Sequence, residues 1–472
     1  MRIYNTKTNQ KEDFLPITEN KVGLYACGPT VYDFIHVGNA RPVILFDVLR
    51  RYFEFRGFDV TFVQNFTDVD DKIIDRANKE GITCDALTER FIDEYFTDAK
   101  GLGVLPATHH PKVTEHIEDI VDAVKTLIEK GFAYESRGDV YFRTDGFPDY
   151  GKLSGQNLEE LQAGARVDVS EIKENPIDFV LWKSAKEGEP AWQSPWGMGR
   201  PGWHIECSVM ARHYLGETID IHAGGQDLTF PHHENEVAQS EALNSCTFAN
   251  YWMHNGFLSI DQRKMSKSLG NFFTVREAAK SYGYDAIRMF MLQSHYRSPL
   301  NYSADILLQA KQGLERLYNA VDNLEFLKSM AENGGLPQEL TPSEQTFLDG
   351  LAVYKTRFVH AMDDDFNTAD AIAVIFEMVR EVNTQTMTEK HPSRLFAAAC
   401  LESIRELTDV LGLLYAKTET ESLDSQVEAL IEARQTARAE KNWAKADEIR
   451  DTLKEMGIVL EDTAQGMKWK KV

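Results

Sequence analysis

Between residues 22 and 66 the chain changes its hydrophobic period twice, and that change limits the folds open to it. Residues 22–26 form a short apolar run of strand length, and Cys27 to Asn39 reads as a loop. Residues 40–56 then place Ile44, Val48, Leu49, Tyr52 and Phe53 at helical spacing, with Gly57 as a stop. Residues 59–66 return to a strand pattern. Strand, helix and strand in this order make a βαβ unit, whose two strands run parallel. Such units build doubly wound sheets that hold ligands at the strand carboxyl ends.

The same alternation resumes downstream. Residues 114–130 are helical by period. Residues 131–201 are rich in Gly, Pro, Trp and charge, with short strands at 139–142 and 179–182, and read as an insertion between two halves of a sheet. A helix at 206–214, a strand at 219–222, a turn at Gly224-Gly225 and a helix after Pro231 follow. Beyond about residue 276 the pattern is almost wholly helical. A polar linker is expected at 332–343, helices near 344–360, 368–388 and 393–415, and a second linker at 417–424. With 472 residues, roughly two to four domains are expected. The fold class is α/β: a doubly wound, Rossmann-like parallel-sheet domain over 1–310 with its insertion at 131–201. An all-helical region over 311–416 and a small basic-flecked piece over 417–472 complete it.

Composition excludes several classes. No apolar run approaches the roughly 18 residues of a membrane span, and the polar start Met1 to Lys11 lacks a signal-peptide apolar region. A cytoplasmic protein is expected. Cys27, Cys84, Cys207, Cys246 and Cys400 are odd in number and form no CxxC pair, which argues for reduced thiols. The formal charge of −23 alone points away from a polyanionic partner. Yet affinity for nucleic acid follows the phosphates locally neutralised. Arg434, Arg438, Lys441, Lys445, Arg450, Lys468, Lys470 and Lys471 gather late in the chain, with acidic residues between them.

Two segments suit phosphate chemistry. His36-Val37-Gly38-Asn39 stands where a helix begins, so backbone N–H groups and a helix dipole face any anion there. His36 and Asn39 can donate to phosphate oxygens, and Gly38 allows close approach. Lys264-Met265-Ser266-Lys267-Ser268 places two ammonium groups in a Ser/Gly-bounded loop. Delivered by a closing loop, Lys264 and Lys267 would stabilise charge that develops on transferring phosphates.

A third constellation suits a metal. His232 and Glu236 stand four residues apart after Pro231, and His233 and Glu236 three apart; either pair can share one ion. Cys27 and Cys207 can converge on the same carboxyl-end cleft of a doubly wound sheet. Two thiolates, an imidazole and a carboxylate make a good zinc set. The acidic run Asp68, Asp70, Asp71 reads as helix capping rather than a magnesium site.

The two phosphate segments resemble the signature motifs of class I aminoacyl-tRNA synthetases. Longer stretches narrow the resemblance to the cysteinyl-tRNA synthetases: Cys27-Gly28-Pro29-Thr30-Val31-Tyr32, Gly202-Trp203-His204-Ile205-Glu206-Cys207, His232-His233-Glu234-Asn235-Glu236, Thr67-Asp68-Val69-Asp70-Asp71-Lys72 and Asp285-Ala286-Ile287-Arg288. One departure is Asn39, where the family's motif often has a second histidine; adenylate formation needs no general base there. The resemblance implies one zinc per chain on Cys27, Cys207, His232 and Glu236, and ATP, with Mg²⁺, bound by His36, Gly38, Asn39, Asp227, Lys264 and Lys267. It places Thr67 and Trp203 in the pocket for L-cysteine. It implies catalysis by His36, Asn39, Lys264 and Lys267, ligation to tRNA(Cys) through a cysteinyl-adenylate, and no membrane. A monomer is expected. Zinc would separate thiol from hydroxyl, which an apolar pocket does only about 10²-fold. A cysteine:amino-sugar ligase sharing the catalytic half is the alternative. A non-catalytic protein with a dead synthetase fold is opposed by the intact His36, Lys264 and Lys267. Residues 311–472, with Trp443 and Trp469, favour tRNA.

Overall fold

The computed structural model describes residues 1–157, 173–260, 263–264, 273–332, 337–389, 392–415, 421–440, 442–463 and 466–471. They divide into two compact units, Met1–Leu314 with Tyr354–Ile375 and Leu407–Leu413, and Glu315–Val353 with Phe376–Glu406 and Leu414–Val472.

The first unit opens with a hairpin, β1 (Arg2–Asn5) and β2 (Gln10–Asp13). Its centre is a four-stranded parallel sheet of β3 (Lys21–Ala26), β4 (Asp59–Gln64), β10 (Ile219–Gly225) and β11 (Ala249–Asn255), in the order β11-β10-β3-β4. The expected βαβ unit is present: β3 and β4 are adjacent and parallel, joined through α1 (Val37–Phe55). The chain leaves β3 towards β4 on one side, then returns to build β10 and β11 on the other. The gap between the loops after β3 and β10 is therefore the topological switch point, where open α/β sheets bind ligands.

The insertion is a five-stranded antiparallel sheet in the order β5-β6-β7-β9-β8: β5 (Ala133–Ser136), β6 (Asp139–Phe142), β7 (Phe179–Ser184), β8 (Trp192–Ser194) and β9 (Gly197–Pro201). Only two of these strands are legible by period. Among the described residues, three α-helices lie between β4 and β5 in the chain, α2 (Asp71–Glu80), α3 (Cys84–Gly101) and α4 (Ile117–Glu129). Of the acidic run, only Asp70 caps a helix, accepting from the Lys72 N–H at 2.9 Å. Asp68 accepts from Thr114, and Asp71 pairs with Lys183 and Arg200, so the capping expectation holds for one residue of three.

Helix α5 (Trp203–Leu215) and helix α6 (Glu234–Asn244) pack with α4 in the main core, around Val124, Leu127, Ile205, Met210, Ala238 and Trp252. β12 (Leu258–Ile260) pairs with β13 (Arg263–Lys264) and, in parallel, with β14 (Leu300–Tyr302), and the chain ends in a hairpin, β15 (Ile458–Thr463) with β16 (Gly466–Lys471). After 276 the described residues are mostly helical, as expected, with β14, β15 and β16 as the exceptions. Strands of two or three residues are too short to show a period of two.

In the second unit, Thr341 and Glu344 form a reciprocal capping box, with Pro342 at the first turn of Pro342–Asp363. Glu344 is fully buried and also accepts from the Ser393 N–H at 2.7 Å. Val427, Ile449, Leu453 and Ile458 form a small core near the chain's end. No helix of the described residues is long and apolar enough to cross a membrane.

Arg288, fully buried, donates to Asp47, to the Leu411 carbonyl at 2.8 Å and to the Leu102 carbonyl at 3.1 Å. Asp47 also accepts from Arg51 and from the Leu105 N–H. Removing the carboxylate strands a buried cation. Asp47→Ala is therefore expected to cost about 3–5 kcal/mol, and Asp47→Asn, which keeps an acceptor, clearly less. Urea unfolding midpoints of the two variants check this.

Candidate functional site

The loop after β3 begins with Cys27 and Gly28, pressed against the loop after β4. A Cβ on Gly28 would lie 1.6 Å from the Asn65 carbonyl oxygen, so only glycine permits this approach. Asn65 Oδ1 accepts from the Gly28 N–H at 3.0 Å and from the Tyr25 hydroxyl at 3.1 Å, and touches Cys207 Sγ at 3.7 Å. Across the switch point, the Cys27 N–H donates to the Ala223 carbonyl on β10. Cys207 lies in the second turn of α5. His232 and His233 lie in the turn Thr229–His233, which is wound into the start of α6, and Glu236 sits in that helix's first turn.

These elements bring Cys27, Cys207, His232 and Glu236 together, with one ligand atom from each within 4.8 Å of the others. Cys27 Sγ is 3.6 Å from Cys207 Sγ and 3.3 Å from Glu236 Oε1, and His232 Nε2 is 3.0 Å from the same oxygen. A second set meets the same limit: Cys27, His222, His233 and Glu236. Both readings of the sequence spacing, His232 or His233 with Glu236, are thus geometrically real. Glu236 Oε1 lies 3.0 Å from His232 Nε2 and 4.0 Å from His233 Nε2, which is itself 3.4 Å from Cys27 Sγ. Oε1 faces His232 and Cys27, whereas Oε2 is held by His222 Nε2 at 2.8 Å. His233 Nδ1 contacts His254 Nε2 at 2.7 Å, and His254 in turn contacts Thr6 Oγ1.

Burial would raise the Glu236 carboxyl, but His222 and His232 hold it down at about 2. Burial would lower His232, but Glu236 and Cys207 raise it to about 10. The thiol of Cys27 donates to Cys207 and draws the latter down to about 6, while burial pushes Cys27 itself well up. His204, 2.8 Å from His232 through its Nδ1, and His254 are each lowered to about 3, chiefly by burial. The metal-free cluster thus holds the Glu236 carboxylate and the Cys207 thiolate beside a protonated His232 and the neutral imidazoles of His204 and His254; with the His232 proton given up, the donor set fits a soft or borderline divalent cation.

His36 is the N-cap of α1. Its Nδ1 accepts from the Asn39 N–H at 3.3 Å and Asn39 Oδ1 accepts from the His36 N–H at 3.2 Å, a capping box across Gly38. The backbone of this turn is bridged to residues 273–275: Val37 donates to the Phe273 carbonyl and Val275 to the Ile35 carbonyl. The segment that follows the lysine motif is therefore tied to the first motif. Lys267 and residues 265–268 lie outside the described residues; Lys264 is placed in β13 by its backbone.

Trp203 opens α5, is 43% exposed, and lies against His232 with ring centroids 4.4 Å apart. Thr67 is buried and donates to Glu206 at 2.9 Å. Asp227 is exposed, in the turn after β10, and its carboxylate lies over Gly225. Sequence reading missed Asn65, His204, His222 and His254. Each supports a neighbour across distant segments, and no local spacing marks that.

The sign of the pH dependence follows for metal-free protein. Glu236, depressed from 4.5 to about 2, stabilises above about pH 4.5 and loses this as pH falls through 2. His232, raised from 6.5 to about 10, stabilises below about pH 6.5 and loses this as pH rises through 10. The stability difference between chelator-treated wild type and Glu236→Gln should be largest between these limits and shrink on both sides. Urea midpoints across pH measure it.

Comparison with known proteins bears on the fold and the family. Residues 13–312 match the family described as tRNA synthetases class I (C) catalytic domain, 357–415 the DALR domain, and 420–469 the cysteinyl-tRNA ligase anticodon binding domain. The chain is 56% identical over 473 residues to a cysteine–tRNA ligase of Clostridioides difficile (strain 630), covering 100% of both. In fold it is similar to Mycobacterium tuberculosis methionyl-tRNA synthetase in complex with methionyl-adenylate. That match has a TM-score of 0.61 and 17% identity, covering 83% of this chain and 89% of that one. It is also similar to the LeuRS–tRNA–LeuAMS ternary complex of Agrobacterium radiobacter K84, with a TM-score of 0.61 and 12% identity, covering 85% of each. With a matched catalytic domain, a matched anticodon-binding domain and a relative alike over its full length, the chain belongs to the cysteinyl-tRNA synthetase family of class I aminoacyl-tRNA synthetases.

Proposed function

We propose that this protein joins L-cysteine to tRNA(Cys) at the expense of ATP, through a cysteinyl-adenylate. The observation that carries the reading is the convergence of Cys27, Cys207, His232 and Glu236 at the switch point of the sheet. The loop that supplies Cys27 also leads into the His36–Asn39 turn. A thiol-recognising centre and a phosphate-binding turn on one loop suit an enzyme that activates a thiol-bearing amino acid.

Cys27, Cys207, His232 and Glu236 would hold one zinc ion, favoured over the His222/His233 set because the second thiolate suits zinc. Bound there, zinc would supply a Lewis-acidic partner for the substrate's sulfur, which serine's hydroxyl matches poorly. His222 holds Glu236 Oε2 and so aims Oε1 at the centre. Trp203 would wall the cysteine side chain. Thr67, whose hydroxyl is engaged by Glu206, would shape the pocket through its position.

The carboxylate of cysteine attacks the α-phosphate of ATP, and pyrophosphate leaves. Capping occupies His36 Nδ1 and Asn39 Oδ1, so the His36 Nε2 edge and the Asn39 amide N–H₂ would be offered to phosphate oxygens across Gly38. Lys264 and Lys267 would neutralise charge on the leaving group, Mg²⁺ entering with ATP, and Asp227 would accept from a ribose hydroxyl. The 2′-OH of the tRNA's terminal adenosine then takes the cysteinyl group. Residues 1–310 act as the catalytic domain and 311–416 as a helical bundle; the expected anticodon-binding role of that bundle passes to the small tRNA-binding piece 417–472, which carries the match to the anticodon binding domain. The protein acts as a cytoplasmic monomer.

Labelled cysteine should transfer to bulk tRNA, serine should not, and a zinc chelator should abolish transfer. Cysteine-dependent pyrophosphate exchange without any tRNA charging would replace this reading with the amino-sugar ligase. His36→Ala should lower kcat for exchange by about 10²–10³ with little change in the KM for cysteine. Cys207→Ser should instead raise that KM and release zinc.

A further inference from the structure

A second cluster of metal-binding side chains lies on the first unit and shares no residue with the centre above. His116 ends the turn Val113–His116, Asp119 stands in the first turn of α4, and His213 in the last turn of α5. Their ligand atoms lie within 4.8 Å of one another. His116 Nδ1 is 3.1 Å from Asp119 Oδ2, and His213 Nδ1 is 3.0 Å from the same oxygen. The two rings meet edge to face at 4.7 Å.

From this geometry we infer that His116, Asp119 and His213 form a second, zinc-class divalent cation site that braces α4 against α5. Three features carry it. Two imidazoles and a carboxylate are a ligand set suited to zinc and poorly suited to magnesium. The Tyr214 hydroxyl lies 3.3 Å from His116 Nε2. When Nδ1 turns to a cation, the ring proton moves to Nε2 and is accepted by that hydroxyl oxygen, the outer contact that ligating histidines usually make. The side chains of Asp119 and His213 are about half exposed, 47% and 49%, while His116 is 6% exposed. One ligand is therefore fixed in the protein and two face solvent, which gives a cation a path in and leaves room for water on it.

The consequence reaches the first centre through a helix. α5 carries His213 at one end and Trp203 and Cys207 at the other. A cation on His213 would fix that helix end to the start of α4.

The test is zinc stoichiometry by elemental mass spectrometry after equilibration in zinc-buffered solution. Wild type should bind a second equivalent. His213→Ala and Asp119→Ala, both at half-exposed positions, should bind one fewer, and excess Mg²⁺ should not displace it. Zinc beyond the first equivalent should raise the Tm of wild type but not of His213→Ala. Saturation of wild type at one equivalent, or a second equivalent that survives in both variants, would overturn the assignment. Cys207→Ala supplies an independent arm, since it should keep the His213-dependent equivalent.

Discussion

Glu236 is wholly enclosed and held in its charged form, and much of the first unit is arranged around that fact. An ionised carboxylate without partners in a protein interior costs several kcal/mol or more. Here each oxygen has its own partners: Oε1 faces His232 and Cys27, and Oε2 faces His222. Those partners come from the loop after β3, from β10 and from the turn before α6. The charge therefore ties the loop after β3 to a stretch about two hundred residues later in the sequence, and it does so at the switch point where the sheet leaves a crevice.

The crevice in turn depends on close backbone packing. Gly28 lets the loop after β3 meet Asn65 directly, and Asn65 then reaches Tyr25, Gly28 and Cys207 with one amide. At the other edge Gly224 admits the ring of His233, since a Cβ there would lie 2.6 Å from Cε1. Two glycines thus set how near the thiols, imidazoles and carboxylate can come. The His36–Asn39 capping box does the same for the phosphate-handling turn, and its bridge to Phe273 and Val275 ties that turn to the segment that follows the lysine motif.

Much of this was legible in advance. The period changes between residues 22 and 66 give the parallel β3-α1-β4 unit, because a buried strand and an amphipathic helix carry different spacings. Strand 139–142 and helix 368–388 fall where the pattern puts them. The i, i+4 spacing of His232 and Glu236 brings their side chains to 3.0 Å. Other features were not legible. β8 and β14 have three residues each, too few to show a period. The final hairpin pairs Leu460 with Trp469 within the stretch that reads from sequence only as a small basic-flecked piece.

The sequence by itself determined the sheet class, the position of both signature motifs and the candidate ligands, since each is written in local spacing or in a contiguous stretch of residues. Spacing alone left open whether His232 or His233 accompanies Glu236, because three and four residues are both one helical turn; it was the family resemblance that pointed to His232. Tertiary structure supplies the distances: Glu236 Oε1 lies 3.0 Å from His232 and 4.0 Å from His233, while His222 on β10 occupies Oε2 and His254 on β11 engages His233. It also decided that Asn65 and His204 support the centre, and that His116, Asp119 and His213 meet at all. Apart from the His116–Asp119 pair and the approaches of His232 and His233 to Glu236, those contacts join residues from 14 to 142 positions apart, and nothing local in a chain records which distant side chains will share a space.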